Sequence, residues 1–441
     1  MSNLPSIGYV SLGCDKNRVD SEVMIARLLS NGFAIESNPA NADIIIVNTC
    51  AFLEASRKES IDTILEMSQY KQDKCSKLIV TGCLCQKHGE ELLRYLPEAD
   101  CLVGVNYNDI VDIVKQCYYD NVRQLYIRPN DAMTSCPRVL TTLPHYAYIK
   151  IADGCNNYCS YCTIPYIRGR YRSMPTEEVV KQALMLTQQG VTEIILVAQD
   201  VTRYGLDLYG KVTLVPLLQE LSKIPQIKWI RLLYCYPELI DTALLDEVAN
   251  NDKVCKYLDI PLQHVDSDVL KAMNRRSSHD TVTDLFNRLN QYYPQIRIRS
   301  TFICGFPNES QAQYEMIGEF LRKYQLANVG FFAYSREKGT KSYVMSNQLP
   351  SRIKQQRVKQ LYKLQQNISL HNNTSLLGKS LQCVVDEQTE ITNIYCGRTQ
   401  FQCPYIDGKI TLISTRPLSI GQYVDVVITD CDSYDLVGEV L

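Results

Sequence analysis

HYAYIKIADGCNNYCSYC, residues 145–162, is the stretch on which the fold turns. Its first half, HYAYIKIAD, is a β-rich run; its second half is a loop carrying Cys155, Cys159 and Cys162 as C-x3-C-x2-C. Cysteine fills 18 of the 441 positions. At that frequency the pattern should arise by chance only about 0.03 times in the chain, so its spacing is a signal. A strand that runs straight into such a loop predicts a ligand site at the carboxyl end of a β/α unit, where barrel active sites lie.

Five further strand candidates follow it: EIILVAQD, IKWIRLLYC, KYLDIPLQH, IRIRSTFIC and NVGFFAYS, the last ending near residue 335. Helical segments such as TEEVVKQALMLTQQG and LVPLLQELSK separate most of them. Six β/α units are fewer than the eight that close a full barrel, so residues 141–372 are expected to form a partial (β/α)6 barrel, open on one side. Before it, residues 5–121 alternate strand-like IGYVSL, ADIIIVN, KLIVTG and ADCLVGV with helix-like SEVMIARLLSNG and KESIDTILEMSQY. That alternation predicts an α/β domain around a parallel sheet. Residues 122–140, with Pro129, Asn130, Asp131 and Pro137, are expected to be an irregular linker. Residues 351–372 predict a basic helix, with Arg352, Lys354, Arg357, Lys359 and Lys363 and no acidic residue, expected to be a solvated connection. Residues 374–441, with LQCVVDE, KITLIS and YVDVVITD, predict a small all-β, barrel-like module.

Composition narrows the class. With 45% hydrophobic and 21% charged residues, the chain is that of a folded protein. A net charge of −2 excludes a chain basic throughout that grips nucleic acid by bulk electrostatics. No apolar run is long enough to cross a bilayer, and MSNLPSIGYV carries no basic n-region or signal-like core. The expected place is therefore the cytoplasm. There thiols stay reduced, and 18 cysteines are either small buried hydrophobes or metal and redox ligands.

Three thiolates on one short loop can bind three irons of a cubane 4Fe–4S cluster and leave the fourth iron open. A structural zinc site would want a fourth Cys or His nearby. His145 is the one histidine close in sequence, and it precedes the strand at its far end, so the pattern favours a cluster. Three more cysteines share a topological position. Cys14 follows IGYVSLG, Cys50 follows ADIIIVNT and Cys83 follows KLIVTG, each just beyond a predicted parallel strand. Ligands bind at that edge of open α/β sheets, so the three should converge. Cys85 lies two residues after Cys83; Cys83 is preferred because it comes first after the strand. The other twelve, Cys85 among them, are expected to be ordinary reduced thiols.

The central motif resembles the radical S-adenosylmethionine (SAM) superfamily. There the open iron binds the amino and carboxylate groups of SAM, whose reductive cleavage yields a radical able to abstract hydrogen from an unactivated carbon. On this resemblance Tyr161 stands at the position set against the adenine. Gln199 and Asp200 of VAQD stand where the SAM amino group is reached. Arg299 and Gly305 of RSTFICGFPNE stand where the adenosyl moiety is flanked. Barrel packing is the competing reading of each. Asn308 replaces a common glycine in that turn, and asparagine tolerates the left-handed backbone the turn needs. No catalytic side chain beyond the cluster ligands is assigned.

SLGCDKNRVDSE (11–22), NTCAFLEASRKES (48–60) and TGCLCQ (81–86) resemble the N-terminal domain of the methylthiotransferase family. DIPLQHVDSDVLKAMNRR (259–276), RTQFQCPYIDG (398–408) and YDLVGEV (434–440) extend the likeness over essentially the whole chain, the last two in the β module called TRAM. The resemblance implies two 4Fe–4S clusters, one on Cys14, Cys50 and Cys83 and one on Cys155, Cys159 and Cys162. It also implies SAM used twice, once to methylate a sulfur and once to generate the radical.

One branch of the family modifies an adenosine of transfer RNA; the other modifies the β-carbon of an aspartate in small-subunit ribosomal protein twelve. The tRNA branch typically has an arginine soon after NTC, whereas Phe52 and Leu53 stand here, as in the ribosomal-protein branch. Charge adds an independent argument. Residues 376–441 hold four basic and nine acidic side chains, a balance of −5. An RNA-gripping module should be basic; an acidic one suits a basic ribosomal protein. The expectation is a protein substrate with no direct nucleic-acid binding, no membrane, and a reductant such as flavodoxin or ferredoxin. The competing readings are the tRNA-modifying enzyme and a non-enzymatic iron–sulfur electron carrier.

Overall fold

The computed structural model describes residues 4–128 and 131–441, so Met1–Asn3 of the N-terminal reading and Pro129 and Asn130 of the expected linker lie outside the described residues. The N-terminal elements run β1 (Ser6–Ser11), α1 (Asp15–Ser30), β2 (Ala34–Glu36), β3 (Ile44–Thr49), α2 (Glu54–Ser68), β4 (Lys77–Gly82), α3 (Cys83–Tyr95), β5 (Cys101–Val103), α4 (Ile110–Tyr119) and β6 (Gln124–Tyr126). The sheet is parallel throughout, in the order β2-β1-β3-β4-β5-β6. Its strands are buried on both faces. Ile44, Ile46 and Ile79 pack on one side, while Ile45, Val47, Leu78 and Val80 pack on the other, as the period of two requires. The irregularity expected from residue 122 is corrected at its start, because Gln124–Tyr126 pair with β5 as an edge strand.

The central domain opens with β7 (Tyr146–Lys150). A two-residue hairpin, β8 (Ala152–Asp153) against β9 (Arg172–Ser173), then brackets the cysteine loop and its short helix α5 (Ile164–Arg168). There follow α6 (Thr176–Thr187), β10 (Glu193–Val197), α7 (Leu206–Tyr209), α8 (Leu214–Ser222), β11 (Trp229–Leu232), α9 (Thr242–Asn250), β12 (Val254–Gln263), α10 (Ser267–Ala272), α11 (His279–Tyr292), β13 (Arg297–Cys304), α12 (Gln311–Tyr324) and β14 (Asn328–Ala333). Six parallel strands in the order β14-β13-β12-β11-β10-β7 form the expected partial barrel, with β14 and β7 left unpaired to each other.

Helix α13 (Ser351–Thr374) is where the sequence predicts it, but the expectation of a solvated connection is corrected. Arg357, Leu361, Gln365 and Ile368 form a buried stripe at helical spacing. Arg357 forms an ion pair with buried Glu309, and Tyr314 donates its hydroxyl to the Arg357 carbonyl at 3.1 Å. The chain ends in β15 (Ser380–Gln388), β16 (Ile394–Thr399), β17 (Ile410–Ile413), β18 (Tyr423–Cys431) and β19 (Leu436–Val440), a closed five-stranded barrel. It docks on the central domain through buried charge. Glu193, the first residue of β10, pairs with Arg231 and Arg398 at 2.9 Å each. Asp386 joins Arg398 at 2.7 Å and His145, just before β7, at 2.8 Å. Among the described residues no helix is long and apolar enough to cross a membrane.

Candidate cluster and SAM site

Strand order explains why residues 14, 50 and 83 meet. β1, β3 and β4 are neighbours in the sheet, and one cysteine follows each at the same carboxyl edge. The loop after β4 approaches its neighbour closely. Gly82, at φ +99°, stands where a Cβ would lie 2.3 Å from Asn48 Oδ1 and 2.7 Å from the Thr49 carbonyl. Only glycine accepts that conformation at that distance.

Asn17 ties this edge together. Its Nδ2 donates to the carbonyls of Leu12 at 3.2 Å and Thr49 at 3.0 Å, in the loops that lead to Cys14 and Cys50. Its Oδ1 accepts from Arg168, and the Cys83 Sγ stands 3.7 Å away. Arg168 also donates to Cys83 Sγ at 3.5 Å and pairs with Asp20 at 2.7 Å and Asp153 at 3.3 Å. Lys150 bonds the same two aspartates, giving a fully buried network across two domains.

The second triad hangs from β7. Gly154, at φ +81°, precedes Cys155, where a Cβ would fall 2.1 Å from the Arg170 carbonyl. Asn274 Nδ2 holds the loop by donating to the carbonyls of Asn157 at 3.1 Å and Tyr158 at 2.9 Å. Backbone N–H groups of Asn157 and Ile164 donate to the sulfurs of Cys155 at 3.4 Å and Cys162 at 3.5 Å. Hydrogen bonds to sulfur of this kind are among the levers that set cluster potentials.

Electrostatics fit a cationic inorganic partner. Burial pushes the Cys83 thiol up to about 11, against the pull of Arg168, and pushes Cys155 to about 11 as well. Cys50 is raised by burial too. Cys83 also feels Cys14 and Cys50, so the three charges are close enough to oppose one another. Such thiols stay protonated at neutral pH, and a bound metal would favour their ionised form. Among the described residues no group of three or more His, Cys, Asp or Glu could hold a single metal ion. A cubane would spread its thiolates over several irons instead of bringing them to one atom.

All six cysteines line one cavity of about 490 Å³. Of the residues matched to SAM contacts, Tyr161 and Gln199 line it too. Gln199 Nε2 donates to Asp153 at 3.2 Å, while its buried Oε1 has no hydrogen-bond partner and can accept from an ammonium group. Asp200, Arg299 and Gly305 do not line this cavity. Asp200 is taken up by Thr202 at 2.6 Å and Asn157 at 3.2 Å. Arg299 pairs with Asp259 at 2.9 Å and with Asp407 of the C-terminal barrel at 3.4 Å. Gly305 donates its N–H to Glu309 at 2.9 Å inside its own turn, and Asn308 has φ +66° there, as expected. Lys16, Asn17, Arg168, Tyr234 and Tyr236 also line the cavity or its edge, and the sequence reading passed over them. Cys85 is buried in the core instead, with its Sγ donating to the Val80 carbonyl at 3.2 Å.

Three family descriptions match separate stretches of the chain. Residues 6–104 match the uncharacterized protein family UPF0004, 149–321 the radical SAM superfamily, and 377–441 the TRAM domain. The ribosomal protein uS12 methylthiotransferase RimO of Clostridium tetani is 46% identical over 435 residues, 98% of this chain and 97% of that protein. Its namesake from Clostridium botulinum strain Eklund 17B is 47% identical over 98% of each chain. The namesake from Acetivibrio thermocellus is 44% identical over 99% and 98%. This chain belongs to the RimO family. The chain also shares its fold with a solved structure of the radical SAM methyltransferase TsrM from Kitasatospora setae, at TM-score 0.58 and 14% identity, over 78% of this chain and 77% of that one.

Proposed function

We propose that this chain is a radical SAM methylthiotransferase that adds a methylthio group to the β-carbon of an aspartate in ribosomal protein uS12. The proposal places Cys14, Cys50 and Cys83 on one 4Fe–4S cluster and Cys155, Cys159 and Cys162 on a second. The carrying observation is that all six thiols, from two domains, line a single cavity. A site for one cluster alone would not need both triads to face the same space.

The chemistry these groups supply when bound is one-electron cleavage of SAM and delivery of sulfur. The protein's own part is positioning. Gln199 offers an acceptor to the SAM amino group, and Tyr161 offers an aromatic wall. Arg168 and Asn17 tie the first triad to the short helix that follows the second. The reading divides the chain at 5–121, 141–372 and 374–441. It places the protein in the cytoplasm and calls for a flavodoxin- or ferredoxin-type reductant. The activity for which its relatives are named supports the uS12 substrate.

The test is anaerobic turnover of intact uS12 with SAM, sulfide and a reductant, read by mass spectrometry. One methylthio addition on an aspartate is expected. Modification of tRNA with none on uS12 would overturn the substrate, and no SAM cleavage at all would favour an electron carrier.

A further inference from the structure

The cavity between the triads holds a cation with no carboxylate to answer it. Lys16 lies on the first turn of α1, two residues after Cys14, and is only 7% exposed. It lines the cavity with its Nζ 3.3 Å from the centroid of the Tyr234 ring. Among the described residues it makes no ion pair or hydrogen bond. The other lining cation, Arg168, is committed to Asp20 and Asp153. The one carboxylate in the lining, Glu59, is exposed.

Tyr234 is held in place at a cost. Its φ of +64° is left-handed, which is strained for a tyrosine. Its N–H donates to Asp259 at 3.0 Å and its hydroxyl to Asp15 at 3.3 Å, fixing the ring under the ammonium group. A ring face replaces only part of the hydration that burial removes from a lysine. The arrangement is completed when an anion arrives.

We propose that Lys16 receives the side-chain carboxylate of the target aspartate and so holds its β-carbon in the cavity between the triads. This rests on the aspartate reading above and deepens it. The base of an adenosine carries no anionic group, so an RNA target would answer the lysine only by bringing a backbone phosphate into the cavity. SAM carries a carboxylate, but the positions matched to SAM come from the barrel loops, whereas Lys16 comes from the N-terminal domain beside Cys14.

The test uses the full chain, anaerobically reconstituted, and fluorescein-labelled peptides of the target loop of uS12. One peptide carries aspartate at the modified position and the other asparagine. Anisotropy should show wild type preferring the aspartate peptide by about 10- to 100-fold, the worth of one charge-assisted hydrogen bond. Lys16→Gln and Lys16→Met should lose that preference with iron per chain unchanged, and Lys16→Arg should keep part of it. If both neutral variants retain the preference, the lysine assignment is overturned and the functional reading stands. If wild type neither binds nor modifies the aspartate peptide, the functional reading itself fails. Loss of SAM binding in place of peptide discrimination, or failure of both neutral variants to load iron, would also overturn the proposal, because the lysine would then serve a cofactor.

Discussion

Arg168 donates a hydrogen bond across 3.5 Å to the sulfur of Cys83, although the two residues belong to different domains. Arg168 ends the short helix after the second cysteine triad; Cys83 begins the helix after β4. One guanidinium therefore spans from the loop of one expected cluster to an expected ligand of the other. It is buried to 2% exposure and is held by Asp20, Asp153 and Asn17 as well.

Arg168→Gln should unfasten that junction. Asp20 and Asp153 would keep Lys150 as their remaining cation, so two carboxylates would share one buried charge. Breaking a buried network in this way costs about 3–5 kcal/mol. The midpoint of urea unfolding should fall accordingly, and Arg168→Lys should recover part of the loss. An unchanged midpoint in the glutamine variant would mean that the network contributes nothing to docking.

Iron content separates ligands from bystanders. The anaerobic wild type should carry about eight irons per chain, and the Cys155/Cys159/Cys162 triple alanine variant about four. Cys83→Ala should lower the count in the same direction. Cys85→Ala should not, because Cys85 is turned into the core with its sulfur on the Val80 carbonyl. Its cost is a small loss of packing, about 1 kcal/mol. Retention of iron by the Cys83 variant and loss by the Cys85 variant would reverse the assignment.

The first triad was legible because parallel strands all deliver their carboxyl ends to one edge, and a cysteine just past a strand must therefore lie there. A second signal was in the sequence and went unread. Glycine precedes cysteine three times in the chain, at Cys14, Cys83 and Cys155, and each of those glycines has positive φ. Cys85 follows Leu84 and has no such turn. β2 and β6 were not legible, since three-residue edge strands are too short to show a period of two. Asn17 and Arg168 were not legible either, because their partners lie in other loops or another domain and leave no local pattern. The ion pair of Arg299 in β13 was hidden for a related reason: its carboxylate partner Asp407 comes from the C-terminal barrel more than a hundred residues later.

Acid should release the C-terminal barrel before it unfolds the rest. Burial pushes the Glu193 carboxyl up, but Arg398 and then Arg231 outweigh it and hold it below the usual range. Asp386 is likewise lowered, burial being overcome by its bonds to His145 and Arg398. A carboxylate whose folded pKa is depressed contributes stability that is complete above its unfolded value, about 4, and lost as pH falls through the folded value. Docking should therefore be steady from pH 6 to 8 and weaken below about pH 4. The single tryptophan, Trp229, reports it, because its ring packs edge-on against Tyr423 of the C-terminal barrel at 5.0 Å. Glu193→Gln, which leaves Arg231 without its carboxylate, should cost about 3 kcal/mol and move the fluorescence transition. A Trp229 signal that stays flat to pH 3 would show that these pairs do not hold the interface.

Salt should distinguish the substrate classes. Docking removes Arg398 from the surface of the C-terminal barrel, where it pairs with Glu193 and Asp386, and Asp407 is likewise drawn inward to Arg299. Glu387, Glu390, Asp425, Asp430, Asp432 and Glu439 remain exposed, against Lys379, Lys409 and Arg416. The face left to solvent is therefore acidic, and it should attract a basic protein and repel phosphate. The kcat/KM for uS12 should fall about tenfold between low and high salt, as screening shortens the reach of these charges. Replacing Asp425, Asp430 and Asp432 together by asparagine should flatten that slope while leaving the iron content alone. A salt response carried by tRNA, with none for uS12, would point to phosphate contacts elsewhere on the chain and would overturn the role given to this face.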